Sequence, residues 1–196
     1  MSEAAQILHL LRRGDVEQKT AAVQQAGHFV FERDYFPEAA PLLMELLEQD
    51  LNPKISEEAA WALWKFKDAR AIPVLLRAAQ ENRHSSVREK AIRSLGLLEA
   101  VEALPFLRKL AAEKKGPLSL RVASIAALGY YRDADLISLL STRLKDKYEE
   151  VRKEAFASLN RFFRRDPKSF PLKILKKMQR FESKKGFWRF LWPTKL

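Results

Sequence analysis

The sequence predicts an all-α protein. It reads as a right-handed α-solenoid of about five stacked helical hairpins, a C-terminal capping helix and a short aromatic tail. Three observations carry that prediction. Pro41, Pro73 and Pro105 recur at intervals of 32 residues, and Ile137 falls 32 further on. Ile55, Val87, Leu120 and Val151 are each followed eight residues later by a leucine, at Leu63, Leu95, Leu128 and Leu159. Glycine is scarce, 6 in 196 residues, whereas a β-rich chain needs many tight turns and the residues that make them.

Taken in order, a degenerate leading copy over 4–34 (AAQILHLLRRGDVEQKTAAVQQAGHFVFERD) precedes four clearer ones at 39–68, 71–100, 103–133 and 136–166. Each reads as two antiparallel helices. A proline suits the first turn of the first helix, where its missing N–H would have no intrahelical partner. Asp34, Asp68, Asp133 and Asp166 stand just before the next copy, placed to accept bonds from the unpaired amides of a helix start. Asp166-Pro167 reads as a cap followed by proline. In the second helix, apolar residues at offsets 0, 4, 5 and 8 from Val87 form one stripe with the 3.6-residue period. A single hairpin cannot bury both its faces, so stacking on neighbours completes the core.

The segments "DARAIPVLL" and "SSVREKAIRSLG", echoed by "SLRVASIAALG" and "EEVRKEAFASL", resemble the HEAT-repeat family, and within it the HEAT-like repeats of the phycobilin-lyase type. The resemblance is close over 35–166 and loose over 4–34. It implies a repeat solenoid used for binding, and it is nearly silent on activity. The pattern departs from the family where the acidic residue before the Val-Arg pair is replaced in "RHSSVR" and missing from "GPLSLR". It implies an inter-repeat ladder for Arg88, Arg121 and Arg152. The domain division expected is a solenoid with its cap over 1–182 and a basic aromatic tail over 183–196.

Composition narrows the function. The chain has no cysteine, which excludes disulfides, thiolate metal sites and cysteine nucleophiles. His9, His28 and His84 stand far apart, not at metal-ligand spacing. There is no Gly-rich phosphate loop, Gly-x-Ser-x-Gly elbow or His-Glu-x-x-His motif. No cofactor, metal or small-molecule substrate is implied, and the chain reads as a non-enzyme. The start lacks the apolar run of a secretory signal, and no stretch approaches the ~18 apolar residues of a membrane span. The expected location is cytoplasmic, with peripheral attachment to a membrane as a variant.

Net charge is +11 and it is segregated. Residues 161–196 hold twelve Lys/Arg against two acidic residues, while residues 1–160 hold 24 against 23. A general nucleic-acid binder would spread its lysines along the binding face.

Two regions are candidate binding surfaces. On a helical wheel the core stripe centres at about 80° and offset 6 lies near 240°. That outward position holds Trp61, Arg93, Ala126 and Ala157. Trp and Arg are enriched in interface hot spots, and a guanidinium over an indole is a favourable pair. Glu57 and Glu58 sit one turn before Trp61. Trp64 occupies the place of Gly96 and Gly129, so the end of its helix should differ in packing, with the indole filling the junction beside Tyr35-Phe36. The second region is the C-terminus. Residues 170–182 place Ile174, Leu175, Met178 and Phe181 on one helical face, with Lys173, Lys176, Lys177 and Arg180 largely elsewhere. Phe187, Trp188, Phe190, Leu191 and Trp192 then cluster around Arg189. They suit a lid on the last repeats, a protein-docking motif, or the interface of an anionic membrane.

The expected function is a non-enzymatic protein-binding adaptor or scaffold, using the face around Trp61 and Arg93 and the basic aromatic C-terminus. One alternative is a DNA-binding protein or an alkylated-base DNA glycosylase, suggested by a tryptophan near a carboxylate. Nucleic acid is the weaker fit, because residues 1–160 lack the basic excess it needs. The other alternative is a peripheral protein of anionic membranes.

Overall fold

A computed structural model describes residues 2–33 and 36–183. Among these residues there are eleven α-helices, one short 3-10 turn at Val101–Ala103 and no strand. The helices are α1 (Glu3–Arg13), α2 (Val16–Arg33), α3 (Ala39–Gln49), α4 (Pro53–Phe66), α5 (Ala71–Glu81), α6 (Ser85–Leu97), α7 (Leu104–Ala112), α8 (Leu118–Leu128), α9 (Asp135–Arg143), α10 (Glu149–Arg165) and α11 (Leu172–Ser183). The fold is an α-solenoid of helical hairpins. The chain divides into two compact units, Met1–Tyr131 and Arg132–Leu196.

In the first unit the hairpins are α1/α2, α3/α4, α5/α6 and α7/α8. The second helices α2, α4, α6 and α8 pack extensively in sequence, whereas α1, α3 and α5 touch one another much less. The second helices are therefore the inner, closely packed row of this unit. The apolar stripe behaves as the periodicity predicts. Val87, Ala91, Ile92 and Leu95 are all fully buried, and so are Ile55, Ala59, Ala60 and Leu63. Small residues let the row close up. A Cβ placed on Gly96 would lie 2.4 Å from Ala127 Cα and 2.6 Å from Ala127 Cβ, so α6 and α8 meet there almost backbone to backbone. Hydrogen bonds stitch the same row. Ser94 Oγ donates to the Ala60 carbonyl of α4 at 2.7 Å. The buried Tyr131 hydroxyl donates to the Ala100 and Leu95 carbonyls at 2.7 and 3.3 Å, closing the end of α6. Burial, and then the nearby Glu102 and Glu99 carboxylates, push the Tyr131 phenol well above its usual range.

Helix starts follow local chemistry. Asp15 and Gln18 form a reciprocal box before α2, each side chain accepting the other's backbone N–H, at 2.9 and 3.1 Å. Asn52 Oδ1 accepts the Lys54 N–H at the start of α4. Pro41, Pro73 and Pro105 each lie in a first turn, as expected. Asp68 and Asp133 accept the backbone N–H groups of Arg70 and Asp135 beside the starts of α5 and α9. Asp34 lies outside the described residues.

Two expectations need correction. Among the described residues Arg88 and Arg152 bond within their own hairpins rather than in a ladder between repeats. Arg88 Nε donates to the Ala79 carbonyl near the end of α5, and Arg152 Nη1 donates to the Asp146 and Lys147 carbonyls just past α9. The same offset in the earlier hairpin is Ser56, whose hydroxyl sits near the Leu46, Asp50 and Asn52 carbonyls. This position points back at the first helix of its own hairpin, where carbonyls left without intrahelical donors need partners. Arg121, the third member, is 1% exposed. The second correction concerns Asp166. It does not cap α11 but closes a turn, accepting the Ser169 N–H at 3.1 Å. The residue before a proline avoids the α region, so Pro171 keeps Phe170 out of the helix and α11 begins at Leu172.

In the second unit α9 packs on α10, whose Val151, Ala155, Phe156 and Leu159 are buried. Phe163 and Phe170 meet edge to face, ring centres 5.6 Å apart. On α11, Leu175 and Met178 are buried as the amphipathic pattern requires.

Candidate protein-binding faces

Trp61 lies on α4 in the inner row, half-exposed, while every stripe residue of its helix is buried. Its ring meets Trp64 edge on, one turn along, with centroids 6.0 Å apart. The cation over Trp61 is Lys90, whose Nζ stands 5.4 Å from the ring centroid and 3.9 Å from Glu57 Oε1. The expected Arg93–Trp61 pairing is thus replaced by Lys90. Arg93 is held on its own helix, with Nη2 and Nε 3.1 and 3.2 Å from Glu89 Oε1. A wheel drawn for one helix carries no information on how far its neighbour is displaced along the axis, and that displacement selects offset 3 over offset 6.

The outward arc also differs between hairpins. Ala157 is half-buried, but Ala126 is only 3% exposed. Offset 6 is therefore not a solvent position in α8. Trp64 is half-buried, and its Nε1 is enclosed without an acceptor among the described residues. Its helix end does not differ in backbone from the next one. Lys67 after α4 and Glu99 after α6 both take the left-handed conformation, φ 51° in each, at the same offset. The difference lies in packing, since Gly96 is pressed on Ala127 while Trp64 lies against Trp61. Phe36 is buried against Phe29, rings 4.9 Å apart; Tyr35 lies outside the described residues.

On α11, Lys176 and Arg180 are exposed together with Lys173, within an arc of about 60° on the wheel. Lys177 is half-buried and stands off this ridge. Phe187, Trp188, Arg189, Phe190 and Trp192 lie outside the described residues. Sequence reading missed a cavity of about 490 Å³ in the second unit, walled by Ile137, Phe162 and Phe170 and flanked by Arg132, Arg165 and Asp166. The signal was present in three phenylalanines, 162, 163 and 170, next to an arginine pair. Asp166 is held below the usual carboxylate range, first by the Ser169 hydroxyl and then by the Ser169 N–H. Among the described residues no three His, Asp or Glu side chains are grouped to hold a metal ion, and no helix is long and apolar enough to cross a membrane.

Two overlapping stretches, residues 4–96 and 40–119, match the HEAT repeats family. The chain is a HEAT-repeat protein. No curated protein matches it in sequence. Its fold is similar to that in the complex of CpcE and CpcF of phycocyanin lyase from Nostoc sp. PCC7120, with a TM-score of 0.66 and 23% identity over 84% of this chain. The chain spans 66% of the length of that structure. An engineered protein is similar at a TM-score of 0.59 and 19% identity, over 93% of this chain and 96% of its own. At these identities the likeness is one of fold. The paired helices, the buried stripe and the closely packed second row are the HEAT architecture in this chain.

Proposed function

We propose that this HEAT array is a non-enzymatic protein-binding adaptor. Its inner row around Trp61, Glu57, Lys90 and Arg93 takes one partner. Its basic C-terminus, with Lys176, Lys177 and Arg180 followed by Phe187, Trp188, Arg189, Phe190 and Trp192, takes a second, acidic one. The observation that carries the reading is the half-exposed Trp61 on the closely packed row, with a cation over its ring and a carboxylate beside that cation. An amphipathic aromatic with adjustable charges around it is the usual centre of an interface hot spot. The similar phycocyanin lyase structure is itself a complex of two proteins, which supports association as the use of this architecture. Against a polyphosphate partner on this face stands the composition of the first unit, 18 Lys/Arg and 17 Asp/Glu.

The test captures partners on tagged full-length protein, with Trp61→Ala and a 1–183 truncation alongside. The adaptor reading expects each variant to lose a distinct, reproducible partner while its helical circular dichroism is unchanged. Identical partners for all three proteins refute it. An anionic membrane is the second reading for the C-terminus, favoured by the exposed Lys173, Lys176 and Arg180 ridge. Sedimentation with phosphatidylserine vesicles that disappears on truncation would select it over the acidic protein. Release of base from alkylated duplex DNA, abolished by Trp61→Ala, would replace the adaptor by a glycosylase.

A further inference from the structure

The cavity of the second unit is a separate feature from the Trp61 face. Ile137 comes from the start of α9, Phe162 from the last turn of α10, and Phe170 from the turn before α11. All three side chains are buried or nearly so, at 7, 8 and 7% exposure, yet they leave about 490 Å³ open among them. That volume lies within the range of ligand-sized clefts, ~300–1,000 Å³. Arg132 and Arg165 line it and are exposed. The carboxylate at the rim, Asp166, is engaged by the Ser169 backbone, so it is tied to its own turn. Among its described residues, 132–183, the unit carries 14 Lys/Arg against 8 Asp/Glu. The site thus combines an apolar interior with a cationic edge in a cationic field.

We propose that this cavity is a docking site for a short acidic segment of a partner protein, which inserts one aliphatic or aromatic side chain between Phe162, Phe170 and Ile137 and sets its carboxylates against Arg132 and Arg165. Charge complementarity selects this occupant. The chain's own residues 184–196 carry four Lys/Arg and no acidic side chain, so they would bring like charge to the two guanidiniums. A nucleic acid also offers negative charge, but its bases carry polar edges that an interior of Ile137, Phe162 and Phe170 would leave unpaired. The site goes beyond the adaptor reading, which rests on Trp61 and fails or stands on its own variant.

The experiment is a peptide array. Heptapeptides with three acidic residues on either side of a central position, varied over all twenty amino acids, are probed with full-length protein at low salt. Phe, Leu, Ile or Trp at the centre should bind at least about tenfold more strongly than Ala or Ser, as burial of a large apolar side chain implies. In Arg132→Glu/Arg165→Glu the binding of every acidic peptide should fall by about tenfold. Both residues are exposed, so the fold should tolerate the change. Ala134→Phe lines the cavity from an exposed position with ordinary helical backbone. It should erase the preference at the central residue while leaving the general attraction to acidic peptides. A signal flat across the central position in the wild type overturns the proposal. So does a preference that survives Ala134→Phe, or one that vanishes in Trp188→Ala/Trp192→Ala, which would put the anchor on the tail.

Discussion

Gly96 and Gly27 both lie inside inner-row helices, yet exchanging each for alanine should move stability in opposite directions. At Gly96 the new Cβ would meet Ala127 Cα at 2.4 Å, Ala127 Cβ at 2.6 Å and the Ala127 carbonyl oxygen at 2.9 Å. None of these can rotate away. Ordinary contact needs a separation about 1 Å larger, and a gap of ~0.5–1 Å already forfeits a quarter to a half of each dispersion contact it opens. Overpacking of this kind costs about 1–3 kcal/mol. Contacts this short to backbone atoms call for the upper half of that range, ~2–3 kcal/mol, and the gain in helix propensity returns ~1 kcal/mol, so Gly96→Ala should be destabilising by about 1–2 kcal/mol. At Gly27 the nearest atoms are Lys65 Cδ and Nζ, at 3.3 and 3.4 Å, the far end of a flexible side chain. Lys65 can step aside, and Gly27→Ala should gain about 0.5–1 kcal/mol. Urea unfolding followed by circular dichroism at 222 nm measures both. If Gly96→Ala is as stable as the wild type, α6 and α8 do not approach as closely as described, and the account of the inner row fails.

Three further outcomes are expected. Tyr131→Phe removes one buried donor shared between the Ala100 and Leu95 carbonyls and should cost about 1–2 kcal/mol at neutral pH. Because the folded phenol titrates above its unfolded value, its contribution is complete below pH ~10 and declines as the pH rises toward the folded value. The stability gap between wild type and Tyr131→Phe should therefore narrow above pH ~10 in denaturant titrations. Arg152→Met withdraws donors from the Asp146 and Lys147 carbonyls; since the side chain is half-exposed, the loss should be only about 1 kcal/mol, measured as a lower urea midpoint. Lys67→Gly relieves a non-glycine residue from the left-handed region and should raise stability by about 0.5 kcal/mol, seen as a small rise in Tm.

The sequence revealed the core more clearly than the binding face. Offsets 0, 4, 5 and 8 were readable because burial on a helix repeats with the helical turn, and that repeat survives whatever the neighbours do. Prolines 41, 73 and 105 and the carboxylates of Asp68 and Asp133 were readable because their chemistry is local. Lys90 over Trp61 was not, since it depends on how far α6 is displaced along α4. The role of Arg88 and Arg152 was hidden for the same reason: the side chain turns toward a helix end that a linear string does not place beside it. Gly96 stood in the sequence only as the counterpart of Trp64, yet it marks a place where α6 and α8 meet almost backbone to backbone. The helical face over 170–182 was readable, but Asp166 was read as a cap because nothing local to Asp166-Pro167 shows that the second proline, Pro171, sets where α11 begins.

The residue that follows each opening apolar position, Ser56, Arg88 or Arg152, completes the backbone of its own hairpin and asks nothing of the next. Each such hairpin thereby closes its own helix end at this position, and what joins it to a neighbour is shape, small side chains and a few polar links such as Ser94 to the Ala60 carbonyl and Lys90 to Glu57. Copying a hairpin would leave these helix ends closed, so only the seam, with its apolar contacts and its few polar links, would have to be renewed. An array whose hairpins each close their own helix ends can change its length by whole repeats where that seam recurs, so the reach of its inner row is open to adjustment.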